Sequence, residues 1–186
     1  MSAAPVVVEA AVPADAEVLR RIQVQTWYAT YVNAERGVTY EGLKLFQEGE
    51  NGERNERRIA FWRNHIATDD GTHAVFMARS GGQTVGFTAP SLMNGQWRVG
   101  ALYVLPEAQG QKAGSALMRA ALRWHGDGRD VYCHVAEYND RAISFYQRFG
   151  FGLTGLRFDD ADAPAGARIP ELEMLRVSGT PAPPSR

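Results

Sequence analysis

The chain predicts an α+β domain, a mixed and mostly antiparallel sheet flanked by helices. Three observations carry that expectation. The patterns run in the order strand, helices, three strands, helix, strand, helix, two strands. The three middle strands follow one another as a meander with a hairpin signal, which antiparallel pairing favours. A loop and a complete amphipathic helix separate the next two strands, as a parallel crossover requires. With 186 residues there is room for one sizeable core. One domain is expected over residues 1–178, followed by a disordered Pro-rich tail over residues 179–186, SGTPAPPSR with its leading serine.

Val6 to Val12 is apolar and β-branched enough for a first strand, and Pro13, Asp15 and Glu17 mark the cap and first turn of a helix reaching Tyr31. Its apolar positions, Leu19, Ile22, Val24, Trp27, Tyr28 and Tyr31, fall partly at three- and four-residue spacing. A second helical region from Thr39 to His65 breaks at Gly49 to Gly52, so two short helices are expected. Their glutamates and arginines read as a solvated face, with an acidic rim for a cationic substrate as the rival. His73 to Arg79 and Gln83 to Ala89 form a hairpin through Ser80, Gly81 and Gly82, and Gln96 to Val104 extends the meander.

Pro106 then ends a strand, and Leu117, Ala120, Ala121 and Trp124 recur at helical spacing. The loop between them, Gln109 to Ser115, puts unpaired backbone N–H groups at the positive end of a helix dipole, a ready site for a phosphate or pyrophosphate. Gly126 and Gly128 stop that helix, and Val131 to Ala136 is a short strand. Asn139 or Asp140 caps a helix with Ala142, Ile143, Phe145, Tyr146 and Phe149 on one face, closed by Gly150. Gly152 to Phe158 and Arg168 to Val177 are the last strands, separated by an Asp/Ala/Pro/Gly loop.

A formal net charge of -1 gives no electrostatic footprint for nucleic acid or a membrane surface. The N-terminus lacks a signal-peptide pattern, no apolar run is long enough for a span, and the single Cys133 excludes an intrachain disulfide. A cytoplasmic protein without nucleic-acid or membrane partners is expected. GFGLTG, Gly150 to Gly155, spells a dinucleotide fingerprint but leaves a helix and opens a strand, the reverse of what that site needs. GQKAGS is not a P-loop either, because Gly114 is followed by Ser115 rather than Lys. The four histidines are scattered, and Cys133 and His134 point to opposite faces of a strand, so no metal site is expected.

LYVLPEAQGQKAGSALM resembles the acetyl-coenzyme A motif of the GNAT N-acetyltransferase superfamily, in which a Gln/Arg-x-x-Gly-x-Gly/Ala loop follows a strand and a proline. NDRAISFYQRFGF, Asn139 to Phe151, resembles the superfamily's other signature. Together with the element order and the closing IPELEML, the resemblance covers nearly the whole chain and implies the GNAT acyl-CoA N-acyltransferase fold, with acetyl-CoA as co-substrate. It implies that Leu102, Tyr103 and Val104 pair through their backbone with the pantetheine arm. Gln109, Gly110, Gln111, Lys112, Ala113, Gly114 and Ser115 would hold the pyrophosphate, with Asn139 and Tyr146 completing the cofactor site. Lys112 stands where the pattern has glycine, which is acceptable if that position is right-handed helical. Its ammonium then either reaches a cofactor phosphate or points to water.

The implied reaction is direct acetyl transfer to an amine. By resemblance Tyr146 is the general acid for a thiolate whose thiol has a pKa of about 8.5. The base is open. The strand position where many relatives place a glutamate is occupied by Gly100 and Ala101, which leaves His134, Glu137 or ordered water. Trp27, Tyr28 and Tyr31 are the candidates for the acceptor pocket, and an aromatic, acidic pocket favours a small cationic amine or polyamine. A protein N-terminus or lysine is the alternative acceptor, and a non-catalytic acyl-CoA-binding module is the alternative class. A homodimer is left open.

Overall fold

The computed structural model describes residues 4–159, 169–181 and 183. The first strand, β1 (Val6–Ala10), leads through a 3-10 turn at Pro13–Asp15 into α1 (Ala16–Tyr31). The interrupted helical region is α2 (Tyr40–Glu48) and α3 (Glu53–Ala67). The break has a local cause: Gly49 and Gly52 take φ of 79° and 78°, where a side chain would be strained. The Thr39 hydroxyl accepts from Gly42 N at 3.0 Å and caps α2.

The meander is β2 (Phe76–Ser80), β3 (Gln83–Met93) and β4 (Gln96–Val104). The crossover runs through α4 (Ala113–His125) to β5 (Val131–Ala136), and then come α5 (Asp140–Arg148), β6 (Gly152–Asp159) and β7 (Pro170–Arg176). Of the two offered caps for α5, Asn139 is the one used: its Oδ1 accepts from Ala142 N at 3.0 Å. The seven described strands form one sheet in the order β1-β2-β3-β4-β5-β7-β6. All neighbours are antiparallel except β4 and β5.

Helices cover both faces. On one, Leu19 and Ile22 of α1 and Trp62 of α3 pack against Met77, Phe87 and Ala89. On the other, Leu117 of α4 packs against Ala78 and Val104, while its neighbours Met118 and Ala121 join α5 over Val131, Cys133 and Met174. Each fully buried leucine or isoleucine here contributes about 1.5–3 kcal/mol. One helix, α4, therefore bolts together the two halves of the sheet.

The expected loop between the last two strands, residues 160–168, lies outside the described residues. The ordered chain runs on past residue 178: Gly179 N donates to Asp127 O at 2.9 Å, and Arg176 Nη2 donates to Thr180 O. Residues 182 and 184–186 of the expected tail lie outside the described set.

Candidate active site

The site exists because the parallel ladder is short. β4 and β5 pair only at Trp97 with Val131 and Arg98 with Tyr132, although both strands continue well beyond. Past that corner they part, and the wedge between them holds two cavities, of about 680 and 560 Å³. Thr26, Thr30, Leu102, Asn139 and Ala142 line both, so they form one continuous passage.

The outer part is a groove lined by Leu102, Val104, Gln109, Gly110, Lys112, Gly114, Ser115 and Asn139, all expected at a cofactor. Lys112, Arg141 and Arg148 make it cationic. Its loop is shaped by two left-handed residues, Gly110 at φ 86° and Lys112 at φ 68°, ψ 1°. The condition under which a side chain was acceptable there, a right-handed helical Lys112, is thus not met: the residue keeps the backbone shape that glycine favours, at a cost of about 1 kcal/mol for a side chain. That twist starts α4 at Ala113, whose first-turn N–H groups at Ala113, Gly114 and Ser115 have no acceptor inside the helix, and Gly114 and Ser115 line the groove. Gln109 Nε2 donates to Val104 O at 3.2 Å and its Oε1 accepts from Arg141, which ties the loop to β4 and α5. Gln111 and Ala113 do not line the groove with side chains. Gln111 donates outward to Glu107 O at 3.0 Å, and Ala113 is buried beside Leu117. A pyrophosphate fits this loop through N–H donors and positive charge.

The inner cavity is lined by Trp27, Tyr31, Arg98, Tyr103, His134, Tyr146, Phe158, Asp159 and Glu171. Trp27 and Tyr31 are four residues apart on α1, and their rings pack tilted with centroids 4.7 Å apart. Trp27 Nε1 donates to the Tyr103 hydroxyl at 3.1 Å, which fixes the indole as a wall. Tyr28, the third expected wall residue, does not line the cavity. One residue on from Trp27 it turns about 100° around the helix, stacks on Tyr40 and donates to Glu48 at 2.9 Å.

Tyr146 is buried against Phe145 and Phe151, and its hydroxyl has no hydrogen-bond partner among the described residues. Burial first, and then the nearby Cys133, Tyr103 and Glu171, holds its phenol well above the usual pKa, so it stays protonated. His134 lies between two carboxylates, with Glu171 3.6 Å from Nδ1 and Glu173 3.7 Å from Nε2. Arg98 Nη1 is 3.3 Å from Nε2, and the Phe158 ring packs edge-on at 4.4 Å. Glu137, the other candidate base, faces away in an exposed ion pair with Arg157 at 2.9 Å. Sequence reasoning missed Arg98, Glu171 and Glu173. The signal was present in IPELEML, where two glutamates at i and i+2 share one face of an otherwise apolar strand. Among the described residues no His/Cys/Asp/Glu cluster could hold a metal, and no helix is long and apolar enough to cross a membrane.

The model of the Acetyltransferase (GNAT) family matches residues 38–151, well over half of the chain and the whole of both cavities' loop and helix walls from β4 to α5. This chain belongs to the GNAT acetyltransferase family. Its seven-stranded mixed sheet has the GNAT fold. The fold is similar to that of the PaiA N-acetyltransferase of Thermoplasma acidophilum in complex with coenzyme A, with a TM-score of 0.67 and 18% identity over 93% of this chain and 99% of that one. A GNAT acetyltransferase from Streptococcus pneumoniae superposes with a TM-score of 0.67 at 17% identity, covering 94% of this chain and 100% of its own. The mycothiol acetyltransferase of Stackebrandtia nassauensis is 43% identical over 76 residues, 38% of this chain. That stretch spans only 25% of the relative.

Proposed function

We propose that this GNAT chain transfers the acetyl group of acetyl-CoA to the primary amine of a small cationic acceptor held in the inner cavity. The observation that carries the reading is the wall itself: Glu171 and Asp159 line it, Glu173 stands behind His134, and Trp27 and Tyr31 offer aromatic faces. Carboxylates and aromatic faces both attract an ammonium group, and in this lining two carboxylates, Asp159 and Glu171, stand against the one guanidinium of Arg98. The outer groove supplies what a coenzyme A needs, with N–H donors and cations for phosphate and the unpaired edge of β4 for an extended amide arm.

The chemistry follows from two side chains. An alkyl ammonium with pKa about 10.4 must lose a proton before it can attack, and His134, which lines the cavity between Glu171 and Glu173, accepts that proton. The amine nitrogen bonds to the thioester carbonyl carbon, the carbon–sulfur bond breaks as nitrogen sheds its second proton, Tyr146 gives its phenolic proton to the departing sulfur, and the proton shed by nitrogen restores the phenol. The products are an acetamide and a free thiol. Burial suits Tyr146 to this task, because a phenol kept neutral is a donor at every physiological pH.

Free-thiol release with acetyl-CoA and a panel of neutral amines, cationic diamines, lysine peptides and peptides with free N-termini tests the reading. Cationic diamines are the expected best substrates, and Glu171→Gln should raise their KM about tenfold, as loss of one partly buried ion pair does, while leaving a neutral amine unchanged. Preference for peptides would replace the acceptor class. Absence of thiol release with every amine, despite coenzyme A binding, would point to a binding module instead.

A further inference from the structure

We infer that the corner between α2 and α3 holds a second binding site, for a small oxyanion, lined by Gln47, Arg54 and Arg58. The cleft there has a volume of about 290 Å³ and shares no lining residue with the acceptor cavity or the cofactor groove. Behind it lies Arg20, 1% exposed. Its guanidinium donates to Asn55 Oδ1 at 3.0 Å, Gln23 Oε1 at 3.0 Å, Gln47 Oε1 at 2.8 Å and Gln47 O at 2.5 Å. Every one of those acceptors is a neutral amide oxygen. The positive charge is solvated but not neutralised, and burial together with Arg58 lowers its pKa to about 10.

The cleft in front offers donors. Gln47 is 4% exposed and turns both its side-chain and main-chain oxygens to Arg20, which leaves its amide nitrogen without a hydrogen-bond partner. Arg58 makes no hydrogen bond or ion pair to the described residues and adds its charge to that of Arg20. Arg54, which lines the cleft, spends Nη1 on Phe46 O at 2.7 Å and lays its guanidinium 4.7 Å from the Phe46 ring. The carboxylates that act on these cations, Glu48 on Arg20 and Glu53 on Arg54, form no ion pair with them: Glu48 accepts from the Tyr28 hydroxyl, and Glu53 accepts from Asn51 N. Three cations and an unpaired amide around one cleft match a phosphate or carboxylate, and two guanidinium forks favour phosphate.

The site borders the acceptor wall. Phe46, between Arg54 and Trp27, stacks on Trp27 at 5.8 Å. An anion held by Arg54 and Arg58 thus braces the segment that supports one face of the acceptor cavity.

The test uses the whole chain with saturating coenzyme A, so that the phosphate donors of the outer groove are already engaged. Inorganic phosphate, acetate and chloride are added at matched ionic strength, and binding is read by calorimetry and by Tm. Phosphate at ten times its Kd should raise Tm by about 3–6 °C. Arg58→Gln and, independently, Arg54→Gln should weaken phosphate binding at least tenfold, while Arg57→Gln, outside the cleft, should not. Acetate binding lost in the same two variants would support the oxyanion class with carboxylate as its member. An equal Tm rise with chloride, or phosphate binding unchanged in both cleft variants, would overturn the proposal.

Discussion

Replacing Tyr146 by phenylalanine removes one hydroxyl and nothing else from the centre of the passage. The ring keeps its contacts with Phe145 and Phe151 at 5.6 and 5.5 Å, so the aromatic packing of α5 against β5 survives. Because the hydroxyl has no protein partner among the described residues, its loss strands no buried donor or acceptor, and stability should change by less than about 1 kcal/mol. The effect on turnover is of another order. A positioned general acid is worth about 10²–10⁴-fold, or about 3–5.5 kcal/mol of barrier, so kcat should fall by that factor with the KM for acetyl-CoA within about twofold. Free-thiol release at saturating acceptor measures the first quantity, and thermal melting measures the second. The raised pKa adds a sign: the wild-type enzyme should lose no activity through Tyr146 deprotonation up to about pH 10, its ordinary value. A Tyr146→Phe enzyme with wild-type kcat would refute the acid role, and a large fall in Tm would show that the residue is structural instead.

Two further outcomes are expected. Lys112→Gly relieves a left-handed side chain and removes a cation from a helix N-terminus, gains that exceed glycine's extra freedom in the unfolded chain and should stabilise the protein by up to about 1 kcal/mol, while the KM for acetyl-CoA rises several-fold in a salt-dependent way. Melting curves and KM at two salt concentrations separate these opposite effects, and an unchanged KM would remove Lys112 from the phosphate site. His125, 1% exposed between Trp97 and Trp124, is held neutral by burial with a pKa lowered to about 4. The unfolded chain takes up that proton near pH 6.5 and the folded chain only near 4, so stability is full above the first value and falls by up to about 1.4 kcal/mol per pH unit between them. His125→Phe should flatten the Tm profile relative to wild type in that window, and parallel profiles would contradict the assignment.

Most of the fold was legible because period and punctuation agree along this chain. Gly49 to Gly52, Ser80 to Gly82, Pro106 and Gly150 each end an element where the pattern says, and the Asn139 cap sits one residue before its helix. The irregular features had no such signal. Whether Lys112 is left- or right-handed depends on how the loop meets α4, and a lysine carries no preference that reveals it. Tyr28 could have been separated from Trp27 and Tyr31 by helical geometry alone, since i and i+4 share a face and i+1 does not. The acidic partners of His134 depend on register: Glu173 faces it directly and Glu171 faces Ala136, two residues further, and only the pairing of β5 with β7 brings them together. Arg20 hid for the opposite reason, being a charged residue on an apolar helix face whose partners come from Gln47 and Asn55, far along the chain.

The two-pair ladder at Trp97 and Arg98 has a consequence for how this protein stores its stability. The β1–β4 half and the β5–β7–β6 half each own a core, and they share α4, that one corner and the packing of Trp27, Val38 and Leu43 against Ala136 and Ile169. A ligand that pairs with β4 on one side and touches Asn139 and Ala142 on the other becomes masonry between them, so that cofactor affinity and the rigidity of the sheet are one coupled quantity. Linkage then runs both ways: substitutions that loosen the far half, well away from the phosphate loop, weaken coenzyme A binding, and coenzyme A restores to those variants the stiffness they lost.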